Sequence, residues 1–141
     1  LDLCRKWGAD ETINARAIND IAAEVRRLTG GKGVEAAVDY VGHGETLQSA
    51  IDSLAVSGRA VAIGAGFGEA KINAVQLLTH ELTVTGSRHS TRAEFIETME
   101  LMARGTIQSV VGERVHFTQV ESLFDKLAHE QLLGRGALTY D

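Results

Sequence analysis

Three short runs rich in Val, Ile and Ala each finish on a glycine: residues 34–41 before Gly42, residues 59–63 before Gly64, and residues 82–85 before Gly86. Between them lie stretches whose apolar residues recur at helical spacing, such as Leu47, Ala50, Ile51 and Leu54. Near-continuous apolar strands suit burial on both faces, and helices between them rule out tight hairpin connections. The alternation therefore predicts an α/β fold with a mainly parallel sheet. Glycine at a strand end has two readings. It is a common turn residue, and it also lets a flat ring or a phosphate approach the backbone with no side chain in the way. In an open parallel sheet, ligands bind beyond the carboxyl ends of the strands, so three such glycines point to a crevice there.

The remaining pattern fills in the order of elements. Leu1, Leu3, Cys4 and Trp7 share one helical face, with Gly8 placed to end that helix. Thr12 and Ile13 form a short strand candidate. Asn19 and Asp20 offer caps for a helix through Ile21, Ala22, Val25 and Leu28, closed by Gly30 and Gly31. Further helices are predicted over 45–54 and 75–78, with a turn at Ser57 and Gly58. Beyond Gly86 the pattern becomes helix, strand, helix, strand. Ser90 or Thr91 caps a helix carrying Phe95, Ile96, Met99, Leu101 and Met102, with both methionines expected as core filling. A strand over 113–117, a helix over 120–133 broken at Gly134, and a strand over 137–140 follow.

At 141 residues the chain has room for one domain with a real core and not for a two-domain enzyme. A net charge of -5 without a basic block argues against nucleic acid as a partner. Apolar runs of only a few residues leave nothing to span a membrane. The single Cys4 excludes an internal disulfide and a cysteine zinc cluster, and a reducing, cytoplasmic setting fits. His43, His80, His89, His116 and His129 show no metal-ligand spacing. The stretch from Gly64 to Gly68 reads G-x-G-x-G, which lacks the spacing of a dinucleotide fingerprint and has no clear helix directly behind it. The chain opens without Met inside what reads as a helix, so it is expected to be part of something longer.

Read in order, several pieces resemble one family. Lys6-Trp7-Gly8-Ala9-Asp10, the run from Leu28 through Gly33 to Val34, and Asp39-Tyr40-Val41-Gly42 are followed by the run from Ser57 to Gly64 and by Thr85-Gly86-Ser87-Arg88. Arg92, Phe95 and Leu133-Gly134-Arg135-Gly136 complete a pattern similar to the medium-chain, zinc-type alcohol dehydrogenases, over essentially the whole chain. The resemblance implies a partial Rossmann-type, doubly wound parallel sheet with a C-terminal helix-strand-helix-strand extension. Residues 1–87 would be the later part of the dinucleotide-binding domain, and residues 88–141 a segment returning to the catalytic domain. The Gly-rich phosphate turn, the acidic ribose-binding residue and the amino-terminal catalytic part would lie before Leu1, so this chain alone would be inactive.

The resemblance further implies a cofactor, NAD or NADP, and a small alcohol, aldehyde or ketone substrate. Val41 and Gly42 would border adenosine. Ile63, Gly64 and Ala65 would line the nicotinamide, with Ser87, Arg88 and His89 bordering the same ring. Arg135 would reach the cofactor phosphates or stand as a solvated loop arginine. His43 faces the adenosine or is a solvated residue at a helix entrance, and Asp39 serves the cofactor or accepts hydrogen bonds from the next helix. Zinc would be present in the intact enzyme with its ligands outside this chain, and no residue here is catalytic. Residues 70–86 would pair across a two-fold axis, giving a homodimer or homotetramer. A zinc-free quinone or enoyl reductase of the same superfamily, or a non-enzymatic nucleotide-binding module, are the alternatives.

Overall fold

The computed structural model describes residues 1–140, which divide into two compact units: Leu1–Arg88, and a second beginning at His89. The first unit carries α1 (Asp2–Lys6), α2 (Ile21–Leu28), β1 (Val34–Asp39), α3 (Gly44–Asp52), β2 (Leu54–Ala62), α4 (Ala74–His80) and β3 (Thr83–Gly86). The strands form a parallel sheet in the order β1-β2-β3, with α3 and α4 as the crossovers that parallel pairing requires. This is the α/β architecture expected from the alternation of elements.

Local chemistry explains the helix ends. The Asp20 carboxylate accepts the Ala23 N–H at 2.8 Å and caps α2, which the glycines at 30 and 31 leave in the left-handed region. Asn73 caps α4 in the same way through Val75 and Gln76. The core gathers where Ile51 of α3 packs with Leu54 and Ala60, flanked by Val34, Ala37, Leu47, Leu82 and Val84. Ala60 is fully buried in the central strand.

Five expectations change. Thr12 and Ile13 form no strand, because none of the described strands runs beside them to complete a ladder. The strands are not buried on both faces. Val38, in β1, is 46% exposed. Leu54 ends no helix; it opens β2, and the register slips from Val34↔Leu54 to Ala36↔Arg59. That bulge contains Ser57 at φ 62°, so the expected turn at Ser57 and Gly58 is a kink inside the strand. β1 also stops at Asp39, leaving Tyr40 and Val41 in the turn.

The second unit holds α5 (Arg92–Ala103), β4 (Val111–His116), a short 3-10 turn at Phe117–Gln119, α6 (Val120–Ala128) and β5 (Arg135–Thr139). Thr91 and Glu94 form a reciprocal capping box that starts α5. β4 and β5 pair in parallel, and Leu123 of α6 is buried against them, 3.0 Å from where a Cβ on Gly136 would stand. α6 ends five residues before the expected 133, where Glu130 turns left-handed at φ 54°. Met99 and Met102 are not core. α5 buries no residue, and both methionines are exposed with Phe95 and Ile96.

Candidate functional site

The two ladders of the first sheet share a register that sets Asp39, Ala62 and Gly86 in one row, the last residues of their strands. All three strands run the same way, so the chain leaves the sheet along one edge at three neighbouring points. Val41 and Gly42 follow the first strand, Ile63, Gly64 and Ala65 the second, and Ser87 and Arg88 the third. The Ser87 N–H donates to the Ala62 carbonyl at 3.0 Å, which ties the third exit to the second. His89 begins the second unit with φ 57°, and Arg135 lies in that unit at the start of β5, exposed, its N–H bonded to the Val110 carbonyl.

Asp39 binds the first two exits together. Its main-chain carbonyl accepts the N–H groups of Ile63 and Gly64 at 2.9 and 3.0 Å. Its carboxylate is buried and accepts Val41 and Gly42 N–H on Oδ1, at 2.9 and 3.1 Å, while the Thr46 hydroxyl lies 3.1 Å from Oδ2 and 2.9 Å from the His43 carbonyl, sharing its proton between them. Burial pushes this carboxyl upward, yet the N–H groups of Gly42 and Val41 and the Thr46 hydroxyl hold it below the usual carboxylate range, with nearby His43 adding to the same direction. Of the two sequence readings, acceptance from the next helix accounts for the Thr46 contact. The two turn N–H groups were not foreseen, although Asp-x-x-Gly at a strand end is the local signature of a side chain that caps its own turn.

The strand-end glycines differ in what they accommodate. A Cβ on Gly42 would fall 2.1 Å from the Gly64 carbonyl oxygen, and one on Gly66 2.7 Å from the Gly42 oxygen. These glycines let two turns pack backbone against backbone. Gly86 is different: a Cβ there would meet only the Ala62 oxygen, at an ordinary 3.7 Å. Further along these two segments a recess of about 440 Å³ is lined by His43, Gly44, Glu45, Phe67, Gly68 and Glu69. His43 is exposed at the entrance of α3, its Nδ1 3.1 Å from the Phe67 carbonyl. Phe67, 87% exposed, was assigned no role from the sequence.

Among the described residues no three His, Cys, Asp or Glu side chains gather to hold a metal ion, and Cys4 is exposed and alone. These residues do not fit a zinc site. No helix among them is long and apolar enough to cross a membrane.

Residues 1–104 match the family described as zinc-binding dehydrogenase. The chain is 28% identical over 138 residues to the NAD-dependent alcohol dehydrogenase of Sulfurisphaera tokodaii, covering 98% of this chain and 40% of that protein. Among solved structures, the alcohol dehydrogenase of the hyperthermophilic archaeon Aeropyrum pernix superposes with a TM-score of 0.87 at 28% identity, over 98% of this chain and 39% of the other. A mycobacterial quinone oxidoreductase superposes with a TM-score of 0.73 at 26% identity, over 98% and 45%. The chain thus spans about 40% of the length of the curated relatives it matches.

Proposed function

The chain belongs to the zinc-binding dehydrogenase family, and on that premise we propose that the protein carrying it is an NAD(P)-dependent alcohol dehydrogenase. It moves a hydride between a small alcohol and a nicotinamide cofactor. The observation that carries this reading is the single row formed by Asp39, Ala62 and Gly86, which opens three backbone exits toward one edge of a parallel sheet. Val41 and Gly42 border adenosine, and Ile63, Gly64 and Ala65 line the nicotinamide together with Ser87, Arg88 and His89. Arg135 reaches the phosphates. The cofactor supplies the redox chemistry, and these residues bind and orient it. Residues 1–87 act as the later part of the cofactor-binding domain and residues 88–141 return to the catalytic part. Zinc, where used, takes ligands from outside residues 1–140. The cofactor is NAD or NADP, with the NAD-dependent relatives favouring NAD. The protein works in the cytoplasm as a dimer or tetramer joined through residues 70–86.

A second reading has its own support. The likeness to a quinone oxidoreductase fits a reductase that transfers hydride from the nicotinamide to a quinone. One experiment separates the two. The protein expressed from its complete coding sequence is titrated with NADH and NADPH, then assayed for alcohol oxidation with NAD or NADP and for quinone reduction. Alcohol turnover supports the first reading and quinone turnover alone the second. Absence of dinucleotide binding overturns both.

A further inference from the structure

We propose that Asp39 is a positioning residue for the dinucleotide, fixing the adenosine-side turn and the nicotinamide-side turn as one rigid frame. The inference rests on the cofactor-binding reading above, and it assigns a task to a residue that this reading leaves without one. Asp39 ends β1, and its two functional groups face different exits. The carboxylate collects Val41 N–H, Gly42 N–H and the Thr46 hydroxyl, which fixes the path of the first turn. The carbonyl collects Ile63 N–H and Gly64 N–H, which fixes the start of the second.

The arrangement is costly unless it has a use for order. A buried carboxylate gives up its hydration, and only several donors aimed at its oxygens make that tolerable. Here those donors come from the turn that presents Val41 and Gly42, with Gly42 at φ 79°, a conformation that needs to be held. Gly42 in turn rests against Gly64, so any relaxation of the first turn passes directly into the second. A ligand that spans both turns binds best when neither has to be ordered on binding. Asp39 touches neither ring of the cofactor in this scheme; it acts through the turn.

Removing the carboxylate should therefore weaken the cofactor without slowing the reaction once the cofactor is bound. In the protein expressed from its complete coding sequence, Asp39→Ala should raise the dinucleotide Kd and its KM about tenfold, with kcat at saturating cofactor nearly unchanged. Asp39→Asn should restore binding to within about threefold, because an amide oxygen still accepts the two turn N–H groups and its NH₂ can donate to Thr46 Oγ1. A role confined to folding would lower the melting temperature of both variants and leave Kd unmoved. A folded Asp39→Ala protein with wild-type Kd overturns the proposal while leaving the cofactor reading intact. If Asp39→Ala does not fold, Thr46→Val decides, because it removes the hydroxyl shared by Oδ2 and the His43 carbonyl and keeps the shape: a raised Kd supports the proposal and an unchanged Kd overturns it. If the wild-type protein binds no dinucleotide, the cofactor reading falls and this inference falls with it.

Discussion

Gly42 and Gly64 occupy each other's side-chain space. A Cβ on Gly64 would stand 2.3 Å from the Val41 carbonyl carbon and 2.4 Å from the Gly42 nitrogen, closer than any real contact. The bareness of these two residues is thus already explained by the packing of one turn on another. A bulky residue at Gly64, which from the sequence would test crowding of a cofactor ring, would first force the two turns apart.

Gly86 is the position that separates the two effects. Gly42→Ala and Gly64→Ala should each destabilise the fold by about 2 kcal/mol or more, from backbone overlap and, at Gly42, from its left-handed conformation. Gly86→Ala should cost under about 1 kcal/mol, since its Cβ would have room. Chemical denaturation checks the stabilities. Dinucleotide titration of the folded Gly86→Ala protein then reads ligand approach alone, and a raised Kd without lost stability is expected.

The pH dependence of stability follows from Asp39. Its folded carboxyl titrates below the ordinary value, so the unfolded chain takes up the proton first. The stabilisation is complete above the unfolded carboxylate value of about 4 and is lost as pH falls through the lower folded value. Melting temperatures should stay level from neutral pH to about 5 as far as this group is concerned, then decline. Asp39→Asn should show a shallower acid decline than the wild type. Equal slopes would mean that the carboxylate contributes nothing.

In the second unit, the capping box makes a local claim. Thr91→Ala removes the acceptor for the Glu94 N–H and the hydroxyl donor to the Glu94 carboxylate. The expected cost is about 1 kcal/mol. Hydrogen exchange should register it as loss of protection in the first turn of α5, with β1 to β3 unaffected.

The assembly proposal gains a cleaner probe. Val84 lies at the sheet edge, but it also packs on the Ile51 core, so a charge there would disturb the fold as well as any partner. Leu78 lies in the same 70–86 stretch and is 78% exposed. Leu78→Lys should leave the melting temperature nearly unchanged and shift the protein toward monomer by light scattering. A stable dimer or tetramer in that variant would place the interface elsewhere.

What could be read from the sequence was mostly what neighbouring residues decide among themselves. Asp20 and Thr91 cap because their side chains reach N–H groups three residues on, and the glycines at 30 and 31 stop α2 through their own φ angles. Thr12 and Ile13 failed for the opposite reason, since a strand exists only beside another strand. Leu54 fits an amphipathic helix and an apolar strand equally well, and its pairing with Val34 decided for the strand. Met99 and Met102 carry the spacing of a buried stripe, but spacing does not say whether a cover is present. At the site, the glycines after each strand were legible, whereas their mutual contact was not. Gly42 and Gly64 are separated by the whole of α3 and β2, and no local pattern records which distant backbone each will meet.

The interlock runs further along the two turns. A Cβ on Gly44 would meet the Glu69 backbone at 2.4 Å, and one on Gly68 the Gly44 nitrogen at 3.0 Å. Contacts of this kind are made by main chain on main chain, so they are indifferent to the identity of side chains nearby and sensitive to chain length. Anyone reshaping this edge by loop grafting has two segments to move and not one. Residues 40–44 and 63–69 transplant as a single cassette from the same donor, and a one-residue insertion in either calls for a matching change in the other.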